Sequence, residues 1–271
     1  MGVHGPVSGP GTGIAVTGRI RVFSPVGDNR VPDWFSRALQ RGRLSHAYVF
    51  TGPSGVGKRQ FARQLAQAMF CEANDGTSLD TCGRCGNCKR FRAGTNPDFY
   101  EVGVPAGKKD IPISAFVGEE ESRGREGLCY ELSLRPMSSD RKIAIIDDAD
   151  LLNAEGANCL LKTLEEPPPR SVLILIGTSE HRQLPTIRSR SQIIRFRPLS
   201  REMVAQLLRE RQMVEGDSDA ERLADLSDGS LQRAGVWNDV DLCGFRQQIF
   251  DYLGTASPDT VGFAREATSF V

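Results

Sequence analysis

The string Gly52-Pro53-Ser54-Gly55-Val56-Gly57-Lys58 constrains this chain more than any other segment. It fits the spacing G-x-x-x-x-G-K of a loop that wraps phosphate. The glycines let backbone N–H groups turn inward around the oxygens, the helix starting there aims its positive end at them, and the lysine reaches the terminal phosphates. Such a loop works between a strand and a helix, and this one has both neighbours. Ala47–Thr51 reads as an apolar strand before it, and Arg59–Phe70 repeats Phe61, Leu65, Ala68 and Met69 at helical spacing after it. Further strands are predicted at Phe99–Val102, Lys142–Asp147, Ser171–Thr178 and Gln192–Phe196, with a helix over Ala154–Glu165 that Pro167-Pro168-Pro169 ends. That alternation favours βαβ units around a parallel sheet. After Pro198 the strand signals stop, and Glu202–Arg211, Ala220–Leu226 and Leu231–Trp237 read as short helices, with another around Phe245–Leu253.

With 271 residues the chain has room for one large or two modest domains. Lys+Arg 34 against Asp+Glu 34, with 39% hydrophobic and 25% charged residues, is ordinary globular composition. It excludes disorder and a globally basic nucleic-acid binder, so contact with nucleic acid needs a local patch or partners. The runs Ile143–Ile146 and Val172–Ile176 fall far below the ~18 apolar residues that span a bilayer, so no membrane partner is expected. Met1–Gly18 is Gly-rich without the apolar centre of an export signal and reads as a loose tail on a cytoplasmic protein.

Seven cysteines without an export signal argue against a disulfide scaffold. Cys71, Cys82, Cys85 and Cys88 instead give C-x10-C-x2-C-x2-C, which can close a tetrahedral zinc site with no open position, a structural rather than a catalytic arrangement. Lys89, Arg90 and Arg92 beside it offer either a phosphate contact or a solvated basic face.

Arg59 stands where the full phosphate-loop motif has Ser or Thr to hold Mg²⁺. A guanidinium cannot ligate a cation, so nucleotide binding can survive while metal-assisted hydrolysis is impaired, and Mg²⁺ is left open. Asp147, at the tip of the Lys142 strand, is placed for a metal-associated carboxylate. Asp148 falls where a hydrolytic site usually carries glutamate and is one methylene short of it; the alternative is an acidic cap for the helix after it. Thr186-Ile187-Arg188-Ser189-Arg190-Ser191 puts two guanidiniums on one short segment, a chemistry suited to completing a neighbour's phosphate site.

Together these residues resemble the bacterial clamp-loader subunits of the AAA+ class, and within them the delta-prime branch of DNA polymerase III. The resemblance rests on Gly42-Arg43-Leu44-Ser45-His46-Ala47 running into the phosphate loop and on the four-cysteine insert. It rests equally on Asn158-Cys159-Leu160-Leu161-Lys162-Thr163-Leu164-Glu165-Glu166-Pro167-Pro168 and on Thr186–Arg190. It implies a RecA-like AAA+ parallel-sheet domain over 19–198 with a zinc module at about 71–92, a helical lid over 199–240, and the start of a truncated collar over 241–271, after a tail at 1–18. It implies ATP or ADP held by residues 52–59, Asp147 and the polar sensor Thr178, and structural zinc on the four cysteines. Arg190 is then the arginine inserted in trans into a neighbour's ATP site, with Ser191 in place of that motif's cysteine. Gln232 stands where a motor subunit has the γ-phosphate-reading arginine, and Arg233 comes one residue late, turned about 100° away. Arg59, Asp148 and Gln232 all depart from a working ATPase. The resemblance therefore implies a stator with weak or absent ATPase, in a ring with gamma/tau-like and delta-like subunits that places the sliding clamp on primed DNA. The alternatives are an ATP-hydrolysing gamma/tau-like motor and a zinc-bearing nucleic-acid-binding module.

Overall fold

The computed structural model describes residues 30–254 together with residues 260, 264 and 268. The tail at 1–18, the start of the sheet domain at 19–29 and most of the collar expected beyond residue 254 lie outside the described residues. In chain order the elements are α1 (Arg30–Gln40), β1 (Ala47–Thr51), α2 (Lys58–Phe70), α3 (Gly86–Arg92), β2 (Phe99–Val102), α4 (Ser114–Val117), α5 (Leu128–Ser133), β3 (Lys142–Ile146), α6 (Ala154–Glu165), β4 (Ser171–Ile176), α7 (Pro185–Arg188), β5 (Gln192–Arg195), α8 (Arg201–Glu210), α9 (Asp217–Leu226), α10 (Leu231–Trp237) and α11 (Val240–Gly254).

The five strands form one parallel sheet in the order β2-β3-β4-β1-β5, with Val49 beside Leu175 on one side and Ile193 on the other. Alternation along the strands builds two cores. Tyr48, Phe50, Ile143, Ile145, Ile174 and Ile176 face α1, α2 and the helices after β5, while Val49, Ala144, Ile146, Leu173 and Leu175 face α4, α5 and α6. Burial on both faces explains why the central strands read as solid apolar runs. Phe50 stacks against Phe35, Phe61 and Phe196 with ring centroids 5.8, 6.0 and 5.2 Å away, which pins α1 and α2 to the mouth of β1. α8, α9 and α10, within the span where a helical lid is expected, pack on one another, and their apolar faces (Val204, Leu208, Leu223, Ala234) join the first core. The chain thus adopts the expected α/β class, a five-stranded parallel sheet flanked by helices and followed by short helices that pack on one another. Among the described residues no helix is long and apolar enough to cross a membrane.

The predicted strands at Lys142, Ser171 and Gln192 end one or two residues early, at Ile146, Ile176 and Arg195. Asp147, Thr178 and Phe196 therefore sit just past the sheet, in the loops at its carboxyl edge, where parallel sheets place ligands.

Asp98, fully buried before β2, accepts from the backbone N–H groups of Met137, Ser138 and Ser139 at 2.7–2.8 Å and from both serine hydroxyls. Burial pushes its carboxyl up, but these donors outweigh it and hold the pKa below the usual aspartate value. Asp98→Ala is expected to cost about 1–3 kcal/mol, because it removes the buried acceptor on which the loop donors of Met137, Ser138 and Ser139 converge. A depressed folded-state pKa gives stability that is present above the unfolded value, about 3.9, and is lost as pH falls through the folded one. In urea melts the gap between the native chain and Asp98→Ala should thus be full at neutral pH and shrink below about pH 4.

Candidate functional site

The phosphate loop stands at the end of β1 as the sequence requires. Gly57 adopts φ 93° immediately before α2, and Gly52 passes so close to the chain leaving β5 that a Cβ there would clash with the Phe196 carbonyl oxygen. Only glycine fits either position. The loop borders a cavity of about 910 Å³ between the carboxyl edge of the sheet and the lid. Lys58 is buried there and donates from Nζ to the carbonyls of Gly52 and Pro53, both at 2.7 Å. Burial pushes its pKa down, against Asp147, Asp150 and Asp148.

The lid meets this loop directly. The Leu231 N–H donates to the Gly55 carbonyl at 3.1 Å, and a Cβ on Gly55 would come within 2.4 Å of the Ser230 hydroxyl. Two residues before Leu231, the Gly229 carbonyl accepts from the Leu199 N–H at 2.9 Å, so the segment is clasped at both ends. Gln232 lines the cavity; Arg233 does not, and pairs with Asp228 at 2.7 Å. The one-residue displacement read from the sequence therefore does turn Arg233 away.

Arg59 donates from Nε to Glu101 at 2.7 Å and lies 3.4 Å from Asp147, and Arg63 closes on the other Glu101 oxygen. Burial opposes the charge on Arg59, and Glu101 followed by Asp147 outweighs it. Burial and then Asp148 raise the Asp147 pKa, with Arg59 opposing. A magnesium ion does not fit these residues: the hydroxyl that would ligate it is a guanidinium, and that guanidinium is paired with the carboxylate that would share it. Asp148 is exposed at φ 54° beside the cavity, and its side chain caps no helix, unlike the acidic-cap alternative.

Thr178 reaches the rim of the cavity, where its N–H and hydroxyl both donate to Asp150 at 2.5 Å; the Gln183 amide closes on the other Asp150 oxygen. Asp150 was not among the expected site residues, nor were Glu101, Arg63, Arg182 and Arg211. Only the third carboxylate of Asp147-Asp148-Ala149-Asp150 signals its presence in sequence, because what Asp150 holds lies 28 residues further on.

Arg190 is not among the residues that line the cavity. It follows α7 on the surface, pairs with Glu165 at 2.6 Å and donates to the Thr186 carbonyl at 3.0 Å. Arg188 pairs with Glu180 at 3.1 Å instead.

The four cysteines converge. Their sulfurs lie within 4.8 Å of one another at the junction of α2 and α3. A Zn–S bond of about 2.3 Å puts tetrahedral sulfurs about 3.8 Å apart, so a small contraction closes the site. Cys71 and Cys88 are buried, which raises both thiols, whereas the Arg84 N–H leads the donors that bring Cys82 down to about 6. The set fits zinc, and no ligand position is left open, so the metal would be structural. Of the adjacent cations, Arg90 donates to Asn87 at 2.6 Å, which ties it into the module.

A protein-family profile described as DNA polymerase III, delta subunit, matches residues 27–200. The delta-prime subunit of DNA polymerase III from Bacillus subtilis is 36% identical over 173 residues, covering 63% of this chain and 47% of that protein. The Pseudomonas aeruginosa delta-prime subunit is 33% identical over 150 residues, 55% of this chain and 42% of that protein. The Escherichia coli tau subunit is 32% identical over 244 residues, 86% of this chain and 36% of that protein. The chain thus spans less than half the length of these relatives. The profile takes in well over half of the chain, including the phosphate loop, the cysteine cluster and Arg190, and the chain therefore belongs to the family described as DNA polymerase III, delta subunit.

Proposed function

We propose that this chain is a cytoplasmic clamp-loader subunit of the delta-prime type. It binds ATP or ADP on residues 52–59, Asp147 and Thr178 without turning it over, and carries structural zinc on Cys71, Cys82, Cys85 and Cys88. In a ring with gamma/tau-like and delta-like subunits it presents Arg190 to the ATP site of a neighbour, while the ring places a sliding clamp on primed DNA. The observation that carries the stator reading is the pairing of Arg59 with Glu101 and Asp147, which leaves the phosphate loop whole but its metal position filled. The surface placement of Arg190, away from the chain's own cavity, supports a role toward another subunit.

Steady-state ATP hydrolysis tests the reading. The isolated chain should turn over negligibly, while a mixture with the motor and clamp-opening subunits, clamp and primed DNA should be active. A second reading, an ATP-hydrolysing gamma/tau-like motor, is favoured by the intact Gly57-Lys58 and by a tau relative that aligns over 86% of the chain. Turnover near 1 s⁻¹ by the chain alone, the low end for enzymes, would establish it.

A further inference from the structure

We infer that Arg59 stands in for the divalent cation of this site, so that the cavity takes an adenine nucleotide free of metal. The inference rests on the nucleotide-binding reading and adds to it the form of the ligand. In a phosphate-loop site that hydrolyses, Mg²⁺ bridges the β and γ oxygens and is anchored by a Ser/Thr hydroxyl and a strand-tip carboxylate. Here the strand-tip carboxylate, Asp147, already has a cation 3.4 Å away, and that cation grows from the position of the missing hydroxyl. Glu101 takes the Arg59 Nε–H at 2.7 Å, which orients the fork and leaves terminal N–H groups for phosphate oxygens. Arg63 shares Glu101, so this carboxylate holds two guanidiniums along the first turns of α2.

The charge around the cavity points the same way. Its lining carries Lys58, Arg59, Arg63, Arg182 and Arg211 against three aspartates, and with Glu101 on two of these guanidiniums one positive charge remains in excess before any metal enters. These cations can offset part of the charge of a polyphosphate without a metal. A magnesium ion, which gives up its water reluctantly, would first have to displace Arg59 from Asp147.

The test is calorimetric titration of the full chain with ADP, once in excess EDTA and once in excess Mg²⁺, repeated with Arg59→Thr, which restores the hydroxyl at an exposed position. The native chain should bind with dissociation constants agreeing within about twofold in the two buffers. Arg59→Thr should bind at least tenfold more tightly in Mg²⁺ than in EDTA. Native binding that Mg²⁺ tightens tenfold or more would overturn the inference and leave the nucleotide reading standing. Metal-independent binding by both chains would also overturn it, since Arg59 would then not be the cause. Absence of ADP binding in either buffer would instead bring down the nucleotide reading, and this inference with it.

Discussion

Under the proposed role of Arg190, replacing it by alanine should lower ATP turnover at the neighbouring site by about 10³–10⁵-fold, the range seen when a trans-acting arginine is removed from phosphoryl transfer. The size follows from what that side chain would supply in that role: a charge that never titrates, on a planar fork that would meet the equatorial oxygens as negative charge builds on them. The fold should not suffer. Arg190 is about one-third exposed, and its partner Glu165 is half exposed at 2.6 Å, a pairing of the surface kind worth under about 1 kcal/mol. The variant should therefore melt with the native chain and assemble with its partners, and only the turnover of the reconstituted complex should fall. Arg190→Lys should lose most of the rate as well, because a point charge cannot reproduce the two-pronged contact. An unchanged rate in either variant would remove Arg190 from this role.

Loss of metal from the cysteine cluster is the other large effect. A metal that binds only the folded site adds binding free energy to folding, so its removal destabilises the chain. Here the module is also tied to the sheet: Phe91 of α3 lies 4.6 Å from Phe99 of β2 and 6.1 Å from Phe70 of α2, ring centre to ring centre. Unravelling the cluster should therefore expose part of the first core as well as the module. Protein purified without chelator should carry one zinc per chain by elemental analysis. Stripping it, or substituting Cys88→Ser, should lower Tm by about 10 °C, the size expected when roughly 3 kcal/mol is lost from a chain of this length. Metal-free protein with an unaltered melt would show that the thiols need no ion.

Much of this fold is legible in the amino-acid string itself. The strands β1 and β2 and the helices α6 and α10 lie on their predicted residues, since apolar runs and helical spacing reflect burial directly. The phosphate loop and the four cysteines are readable because each is a local string. The four-residue helices α4 and α7 carry too few residues to show a period. α1 does carry one, with Val31, Phe35, Ala38 and Leu39 buried, although Pro32 and its isolation before the first strand obscure it. What sequence does not offer is pairing across distance. Glu101 lies 42 residues from Arg59, and Asp98 about 40 from the loop it holds. A carboxylate announces nothing about its partner until the chain has folded. Arg59 is therefore readable as a missing ligand, but not as a cation with an address.

The clasp between the lid and the phosphate loop has a mechanical meaning. Leu199 is bound to Gly229, and Leu231 to Gly55, so the strap entering α10 is riveted on one side to the start of the lid and on the other to the loop itself. Steric limits reinforce both rivets, for neither glycine has room for a side chain. A displacement of α8, α9 and α10 must therefore either break the Leu231–Gly55 hydrogen bond or carry the Gly55 carbonyl with it, which couples these helices to the loop that borders the cavity.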